Sequence, residues 1–340
     1  MPERWLDPGV PGLRAEVCQV KSTREETVLL FGTREKLERR IIMRPAMAKE
    51  LAAGLAGIVR EYEAQLNATP AGRIQSVATD ADAPAEARPM LALVRGLGVG
   101  FGFEKSFKMS PALLDADRMI LGVRTGLVAR EALLSVCRAL GMPDAFIAQF
   151  GAVLAEANTV GFGFEHGTYK VYLEFWEKLV RRLQREPANV DPALLFLGFK
   201  WAPRGAPAIA RYTCYPLLSI QGIRRRLDAL YDERGPSVQA AREILELAAR
   251  RIGADSFVYV EAAEEGNPRK SFDLNFYKAG LRVDELRPAL SALAERYALA
   301  GNVLERILAD GGQRAFGHLS GGLGRQGEDF LTVYYEIEGL

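Results

Sequence analysis

Thr168-Tyr169-Lys170-Val171-Tyr172-Leu173-Glu174-Phe175 alternates polar and apolar side chains without a break. Successive side chains of a strand point to opposite faces, so Thr168, Lys170, Tyr172 and Glu174 share one face and Tyr169, Val171, Leu173 and Phe175 the other. Alternation alone marks a half-buried strand. An ammonium, a phenol and a carboxylate on one face predict more. Several such strands closing on themselves would enclose a polar, cation-bearing lumen, which is a site for an anion.

The same two-faced reading extends along the chain. Arg211, Thr213 and Tyr215 share a face of a strand predicted over 210–216, and Tyr259 shares one with Glu261 over 256–261. Asp273, Asn275 and Tyr277 do so over 271–278, His318 and Ser320 over 315–320, and Thr332, Tyr334 and Glu336 over 329–336. The opposite faces are apolar: Val258 and Val260; Phe272, Leu274 and Phe276; Leu331, Val333 and Tyr335. Helices predicted over 130–140 and 144–157 precede strands over 160–165 and 168–176. Helices over 220–231 and 238–251 precede the pair at 256–261 and 271–278, and helices over 284–297 and 302–308 precede the last pair. Strands over 195–201 and 210–216 lack a clear helix pair before them. A further pair, near 97–107 and 119–124, completes ten strands in a repeated ααββ pattern.

An open antiparallel layer, with helices on one face and water on the other, would show the same alternation. Closure removes exposed sheet edges, and the recurrent tyrosines on the polar face favour a lumen over a wet surface. The glycines of Gly161-Phe162-Gly163-Phe164 and Gly100-Phe101-Gly102-Phe103 leave one strand face empty, as a cavity needs. Gly96-Leu97-Gly98-Val99-Gly100 is no nucleotide loop, because Phe103 to Phe107 continues as strand where a helix N-terminus is required.

Composition excludes several classes. Lys and Arg number 44 against 43 Asp and Glu in 340 residues, so no whole-protein field draws nucleic acid or an acidic membrane. Cys18, Cys137 and Cys214 are far apart, which predicts reduced thiols in a cytoplasmic protein. With only His166 and His318, a multi-histidine metal site is impossible, and no metal ligands are assigned. No apolar run reaches membrane-spanning length, and the first residues lack signal-peptide organisation.

The first 67 residues read as a separate ββα unit, with strands at 17–20 and 27–31, then Arg40 to Met43, and a helix opened by Pro45 and running to Leu66. Ile42-Met43-Arg44-Pro45-Ala46-Met47-Ala48-Lys49 and Tyr62-Glu63 resemble a small bacterial β-β-α domain of unknown function. Such units often pair, so a homo-oligomer is an expectation. Residues 68–90, rich in Ala, Pro and Asp, read as a linker to a domain over 91–340.

Phe162-Gly163-Phe164-Glu165 followed by Tyr169-Lys170-Val171-Tyr172, the serial ααββ order and the ending Phe330-Leu331-Thr332-Val333-Tyr334-Tyr335 resemble the ABBA or PT-barrel aromatic prenyltransferases. In size and element order the cyanobactin-type peptide prenyltransferases are nearest. The resemblance spans about residue 96 to the end and implies an α/β PT barrel of about ten antiparallel strands ringed by helices. It also implies prenyl transfer from an allylic diphosphate such as dimethylallyl diphosphate to an aromatic small molecule or peptide side chain. A magnesium ion on the diphosphate is compatible with it, since some such enzymes use one and others do not.

That chemistry assigns Lys170, Lys200 and Arg211 to the diphosphate. Tyr172, Tyr215, Tyr259, Tyr277 and Tyr334 would shield the allyl cation, and Glu104, Glu174 or Glu261 would take the acceptor's proton. His318 reads as a hydrogen-bonded structural histidine. The second reading is a non-catalytic barrel that binds a peptide or small anionic ligand while the N-terminal unit contacts a partner.

Overall fold

A computed structural model describes residues 17–22, 27–32, 37–43, 79–186, 190–203, 205–231, 235–267 and 269–338. The chain divides into two compact units, Met1–Gly72 and Arg73–Leu340. In the first, β1 (Val17–Ser22), β2 (Thr27–Gly32) and β3 (Leu37–Met43) form an antiparallel sheet in that order. Arg40 to Met43 therefore belongs to a third strand, paired to β2 from Thr27↔Met43 onwards. The helix predicted from Pro45 lies outside the described residues.

The second unit begins before the predicted boundary at residue 91. Asp80–Asp82 and Ala85–Ala87 form single 3-10 turns leading into α1 (Arg88–Arg95), and Ala83, Ala87 and Met90 are buried. The alanine-rich composition resembles a linker because methyl side chains fill a core without periodicity.

The remaining strands are β4 (Gly102–Ser110), β5 (Leu113–Arg124), β6 (Thr159–Glu165), β7 (Thr168–Glu174) and β8 (Ala193–Trp201). They continue as β9 (Ala208–Tyr215), β10 (Val258–Glu264), β11 (Lys270–Asn275), β12 (Phe316–Leu323) and β13 (Asp329–Glu338). Each pairs antiparallel with the next, and β13 pairs with β4 to close a ten-stranded barrel. The β6–β7 hairpin turns through His166 and Gly167, both at positive φ, as a tight two-residue turn demands.

The helices stand outside. Pairs α2 (Arg130–Ala139) with α3 (Asp144–Val153), α5 (Ile220–Tyr231) with α6 (Pro236–Ala249), and α7 (Arg287–Arg296) with α8 (Val303–Gly311) each precede two strands. Only α4 (Trp176–Arg185) precedes β8 and β9, at the place where no helix pair is legible. The core is the layer between helices and barrel wall. Phe150, Val171 and Phe199 pack together in one part of it, and Leu245, Leu274 and Leu290 in another. Each such fully buried side chain contributes about 2 kcal/mol. With the apolar faces covered from outside, the alternate residues of every strand must face inward. Among the described residues no helix is long and apolar enough to cross a membrane.

Candidate active site

Register fixes which side chains share the interior. Lys170 lies opposite Lys200 on β8 and Gly163 on β6, while Tyr172 lies opposite Gly198 and Gly161. Continuing round the wall, Gly122 faces Gly161, Glu104 faces Ile120 and Glu336, and Tyr334 faces His318. All of these but Gly198 line a cavity of about 540 Å³. Gly198 provides room for aromatic rings: a Cβ there would come within 3.1 Å of Tyr172 and 3.2 Å of Tyr212.

One end of the lumen is cationic. Lys108, Arg118, Lys170, Lys200 and Arg269 line it. Glu165 accepts from both the Arg118 guanidinium and the Lys170 ammonium, and Arg118 Nε donates to Ser106 Oγ at 3.3 Å. Lys200 is buried with its nearest carboxylate oxygen, on Glu264, at 3.8 Å. Lys108 and Arg269 lie over the Phe330 ring, 4.5 and 5.4 Å from its centroid. The Arg269 Nε is buried and has no hydrogen-bond partner. Burial, reinforced by the neighbouring Arg118 and Arg269 charges and opposed by Glu165, pulls the Lys170 ammonium down to about 8. Burial, then Arg269 and Lys170, holds Lys200 well below a free lysine. Burial alone would push the Glu165 carboxyl up, yet Lys170 and Arg118 hold it well below the usual range. The cations are crowded and desolvated, which is the state an entering anion relieves.

The opposite end carries carboxylates. His318 sits between two of them, with Nδ1 2.8 Å from Asp273 Oδ2 and Nε2 3.1 Å from Glu104 Oε2. Burial would strip its proton, but Asp273 and Glu104 keep the imidazole charged well above its ordinary value. The Tyr277 hydroxyl donates to Glu104 Oε1, and the imidazole stacks on Tyr334 with ring centroids 3.9 Å apart. Glu104 stays ionised, since His318 and Tyr277 outweigh its burial. Glu174 accepts from Asn158 Nδ2 at 3.2 Å, and burial raises its carboxyl. Glu336 is raised too, by burial and then by Glu104. Between the ends lie the Tyr172 and Tyr212 rings, edge to face at 5.7 Å, with Tyr334 beside His318. Burial keeps the Tyr172 and Tyr212 hydroxyls protonated.

The lumen thus gathers Glu104, Glu174, Lys170, Lys200, Tyr172, Tyr277 and Tyr334 from the sequence assignments. Tyr277 reaches it from a 3-10 turn after β11 rather than from the strand. Four assignments are corrected. Arg211 is exposed on the outer face, 3.5 Å from Glu265. Glu261 is outside as well, held by Arg226 at 2.7 and 3.1 Å. Tyr215 lies under the Arg226 guanidinium at 3.4 Å, and buried Tyr259 donates to Glu261 at 3.1 Å. The cause is parity. In β9 both faces carry polar side chains, and pairing of Tyr212 with Phe196 and Ala262 turns Tyr212, not Arg211, inward.

Sequence reasoning missed Lys108, Arg118, Glu165, Arg269, Tyr212 and Asp273 as site residues. Lys108 shares parity with Glu104, and Glu165 shares parity with the glycines of β6, so both were legible. Arg118 shares parity with Ile120 and Gly122, but it falls one residue before the strand predicted over 119–124.

No protein-family model matches the sequence, and no curated protein matches it significantly. Solved structures do match. PriB in binary complex with product diphosphate superposes at a TM-score of 0.50 and 16% identity, over 76% of this chain and 90% of that one. The prenyltransferase PriB in ternary complex with L-tryptophan and dimethylallyl thiolodiphosphate gives 0.50 and 15%, over 76% and 91%. The 5-dimethylallyltryptophan synthase of Streptomyces coelicolor gives 0.47 and 18%, over 68% and 80%. The fold is the PT barrel. The matched structures are ABBA-type aromatic prenyltransferases, and at these identities the PT barrel is what they share with this chain.

Proposed function

We propose that this PT barrel moves an isoprenyl group from an allylic diphosphate to an aromatic or peptide side chain. The observation that carries the reading is the segregation within one barrel lumen: crowded cations at one end, carboxylates at the other, and aromatic rings between. Lys170, Lys200, Lys108, Arg118 and Arg269 would receive the diphosphate. Charge accumulates on that leaving group as the allylic C–O bond breaks and its electron pair departs with oxygen, so fixed cations stabilise the transition state more than the ground state. Tyr172, Tyr212 and Tyr334 would present π faces to the allyl cation and exclude water from it. The acceptor's electron pair then forms the new bond to carbon, and its displaced proton goes to a carboxylate. Glu174, whose burial raises its basicity, suits that role; Glu104, ionised and bonded at both oxygens, suits orientation.

Among the described residues no group of three or more His, Cys, Asp or Glu is placed to hold a metal ion. At the cationic end Glu165 and Glu264 are already bound to cations, so the donors there fit a diphosphate directly and do not form a magnesium site. Incubation with dimethylallyl diphosphate and tryptophan, tyrosine, histidine and arginine peptides tests the reading by mass spectrometry. A product heavier by one C5H8 unit is expected. Failure of dimethylallyl thiolodiphosphate to bind at all would overturn it.

A further inference from the structure

Glu104, Asp273, Glu174 and Glu336 all line the lumen, at the end opposite the cations. His318 serves two of them. Glu174 has a neutral donor, Asn158, and Glu336 has no ion-pair partner among the described residues. The Arg124 charge acts on Glu174 from the wall, but Arg124 does not line the cavity. Negative charge thus exceeds positive at this end, within a cavity whose other end is positive. Burial raises the Glu174 and Glu336 carboxyls, and the Glu104 charge adds to it in both. Tyr277 and Tyr334 add π faces beside the carboxylates.

Carboxylates brought together in a semi-enclosed cavity favour a ligand that brings the missing positive charge, and aromatic faces beside them reinforce it. A neutral acceptor would leave the repulsion unrelieved; an anionic one would increase it. We infer that the acceptor binds as a cation, a protonated amine or guanidine held at the Glu104, Glu174 and Glu336 end. The inference rests on the prenyl-transfer reading and narrows its acceptor.

The test holds the nucleophile constant and varies charge. Tryptamine, tryptophol and indole-3-propionate carry the same indole with an ammonium, an alcohol or a carboxylate. With dimethylallyl diphosphate, kcat/KM should fall in that order, with tryptamine ahead of tryptophol by about tenfold, the size of one charge-assisted contact. Glu336→Gln should raise the KM for tryptamine several-fold more than the KM for tryptophol, with dimethylallyl thiolodiphosphate affinity held. Equal use of the three indoles, or preference for the carboxylate, overturns the inference while prenyl transfer stands. Where no indole turns over, calorimetry on the protein loaded with dimethylallyl thiolodiphosphate decides: tighter binding of tryptamine supports it, and equal binding overturns it. Loss of thiolodiphosphate binding itself is a failure of the prenyl-transfer reading instead.

Discussion

The two ends of the lumen are built from the same ten strands yet handle charge in opposite ways. At the cationic end Glu165 ties Arg118 to Lys170, and Lys200, Lys108 and Arg269 are left short of counter-charge. At the other end His318 ties Glu104 to Asp273, and Glu174 and Glu336 are left short. Each end thus pairs enough charge to fold and leaves some for a ligand. Full pairing would serve stability alone, whereas unrelieved charge of opposite sign along one axis serves a reaction in which charge separates.

Breaking the cationic end should have the largest effect. Lys170→Ala is expected to lower prenyl-transfer kcat/KM by roughly ten- to a thousandfold, as loss of one charge-stabilising donor does. Steady-state kinetics check this, and wild-type rates would remove Lys170 from the site. Glu174→Gln breaks the other end. It should lower kcat by about a hundredfold, the scale of a general base, while the Kd for dimethylallyl thiolodiphosphate stays put. A parallel loss of thiolodiphosphate affinity would mean that the ends are not independent.

Proton linkage sharpens the contrast. Lys170 titrates at about 8 in the free lumen, and a bound diphosphate must raise that value. Affinity is therefore insensitive to Lys170 below about 8 and falls by up to about tenfold per pH unit above it, until the bound-state value is reached. Lys200, held well below a free lysine by burial, adds proton uptake in the same direction. Calorimetry in buffers of different ionisation heat should show proton uptake on binding, and an affinity that rises with pH would contradict this. The smallest effect is expected outside the barrel. Arg211→Ala, which removes an exposed ion pair with Glu265, should change kcat/KM by less than about twofold. A larger loss would place Arg211 back at the site.

Much of this architecture is legible in the chain. The β7 alternation puts Lys170, Tyr172 and Glu174 on one face without any coordinates, and the resemblance carried by the serial helix and strand order implies a closed sheet. The reading fails where polarity does not distinguish faces. Arg211, Tyr212 and Thr213 are all polar or amphipathic, so period-two inspection of β9 cannot say which parity is lumenal. Tyr259 and Glu261 mislead for a related reason: α5 brings Arg226 onto Glu261, which also accepts from Tyr259, so these polar groups are satisfied on the outer face. His318 reads as structural, and it is hydrogen-bonded as expected, but its partners Asp273 and Glu104 both line the lumen.

The sequence by itself determined the two-faced strands, the order in which helices precede them, and the presence of lysine, tyrosine and glutamate on one face of β7, because those depend on local period and turn chemistry. Tertiary structure alone decided which parity of β9 and β10 looks inward, that Arg118 falls directly opposite Glu165 on β6, and that Glu104 meets His318, 214 positions away. Those outcomes follow from cross-strand register and from closure of β13 onto β4, which no short window of residues encodes.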